Sequence, residues 1–207
     1  MAQTKTLIIV PAYNEEKTIA VVLRSLVLIA DVLVVDDGST DLTAQIAKDS
    51  GCNVISLEQN AGYESALDIG FTFRSKYDFI ITIDSDGEIP TECVTEAIKK
   101  FEAGFDLVLG IRNYIPRVGE HIVNKFFWLK YRQKDIFCGL KGYRVSKIIE
   151  NVKMVGSSGT AVALSMLNNS CAVASVDVMI TPRKDLSRFG RNDVRTNLKL
   201  LKVLRYL

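Results

Sequence analysis

Histidine is nearly missing from this 207-residue chain, with His121 the single copy, and the four cysteines (Cys52, Cys93, Cys138 and Cys171) form no C-x-x-C pair. A tetrahedral zinc site needs clustered Cys and His, so this pattern argues against one. Scattered thiols fit a reducing compartment better than a disulfide framework. No stretch approaches the ~20 apolar residues that a spanning helix requires. The apolar run near the N-terminus is too short for a signal peptide and reads as a strand. A cytoplasmic protein is expected, at most peripheral on the cytoplasmic face of a membrane. Neither G-x-G-x-x-G nor G-x-x-x-x-G-K-[ST] occurs, which disfavours a nicotinamide dehydrogenase and a P-loop NTPase. Repeats, low-complexity runs and Pro/Gly-rich linkers are absent as well. What remains is 48% hydrophobic content, ample for one domain with a substantial core.

The apolar residues fall into short blocks. Leu7-Ile8-Ile9-Val10 reads as a buried strand stopped by Pro11, and Ile19, Val22, Leu23 and Leu26 follow at the spacing of a one-faced helix. Val32–Val35 is a second strand, ending in Asp36-Asp37-Gly38-Ser39-Thr40-Asp41. A helix follows from Leu42, with Ser39, Thr40 or Asp41 able to cap it. Val54–Leu57 gives a third strand, then Asn60-Ala61-Gly62 and a helix through Gly70. The fourth strand runs from Asp78 to Ile83 and the fifth over Asp106–Gly110. Alternating strands and helices predict an α/β fold, one Rossmann-like domain with a mostly parallel sheet covered on both faces. Ligands bind beyond the carboxyl ends of such strands, and the polar clusters after the first four strands all lie at that edge.

The fourth strand delivers Asp84 and Asp86, two residues apart, so in extended chain both carboxylates point the same way. Converging carboxylates repel unless a cation lies between them. A hard divalent ion, Mg²⁺ or Mn²⁺, takes oxygen ligands and keeps positions open for phosphate, so a diphosphate-bearing substrate is expected. The alternative is a strand end carrying two solvated acids.

The order and spacing of Val10-Pro11-Ala12-Tyr13-Asn14-Glu15-Glu16, Val34-Val35-Asp36-Asp37-Gly38-Ser39-Thr40-Asp41, Asn60-Ala61-Gly62 and Asp84-Ser85-Asp86 resemble the family 2 glycosyltransferases, which have the GT-A fold. Within that family the chain looks most like the dolichyl-phosphate mannose and glucose synthase branch. Asp135 through Arg144 loosely resembles a later motif of that branch, and Arg183 through Gly190 its closing basic element.

The resemblance implies an inverting, metal-dependent transfer of a hexose from a UDP- or GDP-sugar. The acceptor it implies is polyprenyl phosphate or a lipid-linked glycan. It places Pro11, Tyr13 and Glu15 at the base and ribose, and one of Asp36 and Asp37 on the base. Asp84 and Asp86 match the metal motif with Ser85 between them, and Asp86 is the expected direct ligand. Gly62 belongs to the substrate-side loop after the third strand, and Glu88 stands where the branch often has Gln. Arg112 and Arg183 match basic positions around the pyrophosphate and the acceptor phosphate. Asp135 is the candidate base for a hydroxyl acceptor; an ionised phosphate needs none, and Asp135 could then orient it. A capping role for Asp135 and a solvated Arg112 stand as the bland alternatives.

Three segments are expected: a nucleotide-sugar half over 1–111, an acceptor-side half over 112–190 and a basic amphipathic helix over 191–207. From Arg183 to Leu207 eight Lys/Arg face two Asp, a net charge of +6 in a chain of net +2, so the remainder carries −4. Val194, Leu198, Leu201 and Leu204 mark an apolar face with Arg191, Arg195, Lys199 and Lys202 beside it. Such a helix packs on the domain with its cations in water, or lies on an anionic bilayer. Arg112–Lys134 carries six Lys/Arg against one Glu, interleaved with Phe126, Phe127, Trp128 and Tyr131. Core packing and contact with a lipid interface both account for those aromatics. No nucleic-acid-binding module accompanies the basic residues.

Two other classes compete. Asp84-Ser85-Asp86-Gly87 resembles the nucleophile motif of haloacid-dehalogenase-like phosphatases. Its mid-chain place and Glu88, where those enzymes have Thr, count against that reading. The other is a non-catalytic sugar-nucleotide-binding subunit of a membrane glycosylation complex.

Overall fold

The computed structural model describes residues 4–149 and 158–180, with Leu201 and Val203 the described positions beyond them. Strands β1 (Thr6–Ala12), β2 (Asp31–Asp36), β3 (Asn53–Ser56), β4 (Phe79–Thr82), β5 (Leu107–Arg112), β6 (Lys141–Arg144) and β7 (Val173–Val178) form one sheet in the order β3-β2-β1-β4-β6-β5-β7. Among the described strands only β6 runs antiparallel, wedged between β4 and β5; the other pairings are parallel. The expected five strands are present, and β6 and β7 are additions.

Helices α1 (Ile19–Leu26), α2 (Thr43–Asp49), α3 (Tyr63–Phe71), α4 (Glu92–Glu102), α5 (Val118–Tyr131) and α6 (Ser158–Asn168) cover the two faces. Alternate residues of each strand feed two separate cores, as period-two side-chain geometry requires. Ile8, Val10, Val34 and Ile81 pack with α1 and α4, whereas Leu7, Ile9, Val35 and Ile80 pack with α3, α5 and α6. All four periodic residues of α1 are buried, Ile19, Val22, Leu23 and Leu26, each contributing on the order of 1.5–3 kcal/mol of transfer free energy. Leu201 and Val203 pack against the second core. Arg183 and the rest of the 191–207 segment lie outside the described residues.

The start of α2 differs in detail from expectation. Asp41 accepts the Thr43 N–H (3.0 Å), but the residue flanking the helix is Leu42, whose own N–H is taken by the Glu16 carboxylate (3.1 Å). An acid two positions before the helix thus binds its first donor, aided by a second acid from the loop after β1.

Candidate active site

The loops after β1, β2 and β4 are stitched together at the carboxyl edge of the sheet. Ala12 pairs with Asp36, and the Asp37 N–H continues the ladder to the Ala12 carbonyl (2.8 Å). Asn14, in the left-handed region at φ 50°, donates its N–H to Ser39 Oγ and accepts the Thr40 N–H on Oδ1, both at 2.8 Å. The Glu15 N–H binds Thr43 Oγ1 (2.7 Å), and its buried carboxylate accepts the Thr18 hydroxyl (2.8 Å). Ser85 donates Oγ–H to the Pro11 carbonyl (2.9 Å), tying the β1 end to the Asp84–Asp86 loop. Tyr13 is half-buried on the same loop.

The two acids after β2 do different work. Both oxygens of Asp37 are engaged, accepting the N–H groups of Ala61 (2.7 Å) and Gly62 (2.9 Å). Asp37 therefore clamps the loop leading into α3, where Gly62 sits at φ +98°. Asp36 spends one oxygen on the Ser39 N–H (3.1 Å), and its other oxygen carries no hydrogen bond from the described residues. Gly38 makes the turn after them possible: its φ is +71°, and a Cβ there would come within 2.6 Å of the Gln59 backbone.

Extended geometry does not reach the central carboxylates. β4 ends at Thr82, and Ser85-Asp86 form a turn closed by the Glu88 N–H on Asp86 Oδ1 (3.0 Å). The arrangement of Asp84 and Asp86 is thus set by a turn rather than by strand alternation. Asp84 is positioned from two sides. Tyr63, the first residue of α3, donates its hydroxyl to Oδ1 (3.0 Å), and the carboxylate lies against Gly139, where a Cβ would come within 2.1 Å of Oδ2. Only glycine leaves room for it. Burial raises the Asp84 pKa, and the Tyr63 hydroxyl, Lys141 and Arg112 partly offset that rise. Burial and the Asp84 charge hold the Tyr63 phenol well above its ordinary value, so it remains a donor.

Lys141 and Arg112 are the nearby cations. Lys141 is buried on β6 and donates Nζ–H to the Cys138 carbonyl (2.5 Å); burial lowers its pKa, against the pull of Glu64, Asp84 and Asp135. Arg112 forks onto Asp135 through Nε (2.7 Å to Oδ2) and Nη2 (2.7 Å to Oδ1), and its backbone N–H adds a third bond to Oδ2 (3.0 Å). Arg112 Nη2 also reaches Glu120 (2.7 Å), whose other oxygen binds Arg117 (2.5 Å). Burial works against the Arg112 charge, but Asp135 and Glu120 outweigh it and raise its pKa. Both Asp135 oxygens thus accept from Arg112, at a residue held in the left-handed region (φ 49°). Cys138 beside them is pushed up to about 12, chiefly by burial, and stays a thiol.

Of the residues singled out in the sequence, Pro11, Glu15, Asp36, Asp37, Gly62, Asp84, Ser85, Arg112 and Asp135 are joined in these networks; Arg183 lies outside the described residues. Tyr63, Lys141, Glu120 and Gly139 were not singled out. Gly139 and Lys141 fall in the Asp135–Arg144 segment that the sequence marks, whereas Tyr63 and Glu120 carry no comparable signal.

The chain and its fold have counterparts. The family model for glycosyl transferase family 2 matches residues 7–148, and the chain belongs to that family. It is 26% identical over 203 residues to glycosyltransferase AglJ of Haloferax volcanii, covering 91% of this chain and 67% of that one. It is also 26% identical to an undecaprenyl-phosphate 4-deoxy-4-formamido-L-arabinose transferase of Edwardsiella ictaluri, covering 84% of this chain and 58% of that enzyme. The chain therefore spans roughly three fifths to two thirds of these two relatives. In structure it resembles glucosyl-3-phosphoglycerate synthase of Mycobacterium tuberculosis, solved with Mn²⁺ and UDP-glucose. The TM-score is 0.73 at 18% identity, over 99% of this chain and 78% of that one. The fold is that of the GT-A glycosyltransferases.

Proposed function

We propose that the chain is an inverting hexosyltransferase that moves a sugar from a UDP- or GDP-sugar to polyprenyl phosphate or a lipid-linked glycan, with Mg²⁺ or Mn²⁺ at Asp84 and Asp86. The observation that carries it is the convergence of Asp36, Asp84 and Asp86 on one sheet edge in a chain of this family. Residues 1–111 form the donor half in this reading and 112–190 the acceptor half, with Arg183 at the phosphates.

The donor set suits such an ion. Asp84 is cradled against Gly139, and no cluster of three or more Asp, Glu, His or Cys forms among the described residues. Two carboxylates plus substrate phosphate and water make a shell typical of Mg²⁺ or Mn²⁺. Such a cation, when bound, offsets the charge that develops on the departing diphosphate. Arg112 and Lys141 lie behind Asp84 and add positive potential to the same region. Pro11, Tyr13 and Glu15 line the base and ribose side. On the base itself, Asp37 is committed to Ala61 and Gly62, so Asp36 is the reader. Its one remaining oxygen matches the single ring N–H of uracil better than the paired donors of guanine.

Because Arg112 occupies both Asp135 oxygens, a phosphate acceptor, already ionised and needing no base, is favoured over a hydroxyl. Asp135 then serves the acceptor side by holding Arg112 in place. The relatives' name supports the same acceptor.

Thermal melts of the purified chain with UDP, GDP, CMP and ADP, with and without Mn²⁺, test the donor site, because a ligand of the native state raises the melting temperature. Manganese-dependent stabilisation by UDP is expected. No shift with any nucleotide would remove the donor site, and nucleotide binding without turnover in the presence of an acceptor would put the non-catalytic binding-subunit reading in its place.

A further inference from the structure

We propose that Tyr63 is a positioning residue of the cation site, relaying the grip of Asp37 on the loop after β3 to the carboxylate of Asp84. The two networks meet within three consecutive residues. Asp37 accepts the N–H groups of Ala61 (2.7 Å) and Gly62 (2.9 Å), and the next residue, Tyr63, donates its hydroxyl to Asp84 Oδ1 (3.0 Å). Asp37 is itself anchored, since its own N–H bonds the Ala12 carbonyl at the end of β1 (2.8 Å). A line of hydrogen bonds and covalent chain therefore runs from β1, through Asp37 and the start of α3, to the loop after β4.

Local structure gives Asp37 control over where Tyr63 stands. The capping position of α3 is Gly62, at φ +98°, and it makes no side-chain cap. Glycine orders a helix start poorly. The entry to α3 is set instead by the Asp37 carboxylate, whose charge suits the positive end of a helix. The Tyr63 ring packs against the second core, which fixes the direction in which its hydroxyl is delivered. A carboxylate has about four lone-pair sites, so one hydrogen bond leaves capacity for a metal. Hydrogen bonds to ligating carboxylates also orient them and raise metal affinity. Asp36, the proposed base reader, is the chain neighbour of Asp37, so the same relay holds the base and cation ends of the donor site in register. The alternative is a core tyrosine whose hydroxyl has found a convenient acceptor, with no bearing on the cation. The inference deepens the cation-site reading above and rests on it.

Manganese titrations of the full chain, read by the electron paramagnetic resonance of the free ion, alone and with saturating UDP, test the relay. Tyr63→Phe keeps the ring and loses only the hydroxyl, so its melting temperature in chelator should stay within a few degrees of wild type. Its manganese affinity should fall tenfold to a hundredfold, on the order seen for partners of metal ligands. Asp37→Asn changes a residue bonded to Ala61 and Gly62 rather than to Asp84, and its fold is checked by the same melt. It should weaken manganese as well, because the amide offers one acceptor oxygen for two N–H groups. Combined with Tyr63→Phe it should add little, since both changes cut one line. Wild-type manganese affinity in either single variant, or losses that simply multiply in the double variant, would overturn the relay and leave the hydroxyl a core contact only. A wild-type chain that binds no manganese even with UDP removes the cation reading and the relay with it, so the wild-type titration tells the two failures apart.

Discussion

Arg112 holds Asp135 with three N–H groups, two from the guanidinium and one from its own backbone, and so fixes the end of β5 to the loop before β6. The pair is nearly dry, with the side chains 10% and 1% exposed. Removing one member strands the other's charge in a poorly solvated place, which costs about 3–5 kcal/mol.

Arg112→Lys should therefore be far from conservative. A lysine keeps the charge but loses the planar fork, so a destabilisation of about 2 kcal/mol or more is expected in urea denaturation. An unchanged midpoint would show that charge alone, without the fork, holds the loop.

Asp86→Ala should abolish transfer while leaving the melting temperature of the ligand-free protein within a few degrees, since Asp86 is only half-buried in a turn. Retained transfer in metal-replete buffer would remove the cation site from the Asp84–Asp86 loop.

Asp84→Asn separates stability from function. The folded carboxyl has a raised pKa, so the native state holds its proton to higher pH than the unfolded chain. Stability then falls as pH rises from the unfolded value through the raised folded one. Above that window the charged form is a net cost, and the neutral amide should raise the melting temperature of the metal-free protein. Melts in chelator at neutral pH read this gain, and the same variant should lose manganese-dependent stabilisation by UDP. A metal-free melt lower than wild type would contradict the buried-charge account.

Gly139→Ala should act on Asp84 from across the sheet. The added Cβ falls within 2.1 Å of Oδ2, so the carboxylate or the backbone of the loop before β6 must move. Loss of about 1–3 kcal/mol and of nucleotide-linked manganese binding are expected together. Manganese affinity at the wild-type level would mean that Asp84 is free to swing away without consequence.

The sequence made the frame legible where the signal was local. Val32–Val35 and Leu7–Val10 are unbroken apolar blocks, and the spacing of Ile19, Val22, Leu23 and Leu26 admits only a one-faced helix. The strand β6 offers no such block, since Lys141-Gly142-Tyr143-Arg144 has one large apolar-bodied residue, Tyr143, and owes its place to neighbours on both sides. In β7 the outer half alternates between exposed and buried residues, a weak signal in a strand of six. The acids of the site announced themselves by spacing, but their division of labour did not. That Asp37 clamps a loop and Tyr63 holds Asp84 depends on residues 20 or more positions away, which no short window contains.

The antiparallel wedge of β6 has a consequence for how the protein is made. Strand β4 gains its second neighbour only from Lys141–Arg144, with Thr82 and Lys141 separated by 59 positions in the chain. A growing polypeptide that has laid down β1 to β4 thus exposes an unpaired apolar edge at Ile80 and Ile81 until α5 has been synthesised and the chain turns back. The Asp84–Asp86 loop after β4 and the Arg112–Asp135 pair after β5 are joined through the strand that fills the gap between β4 and β5, so birth of the site and sealing of the sheet are one event.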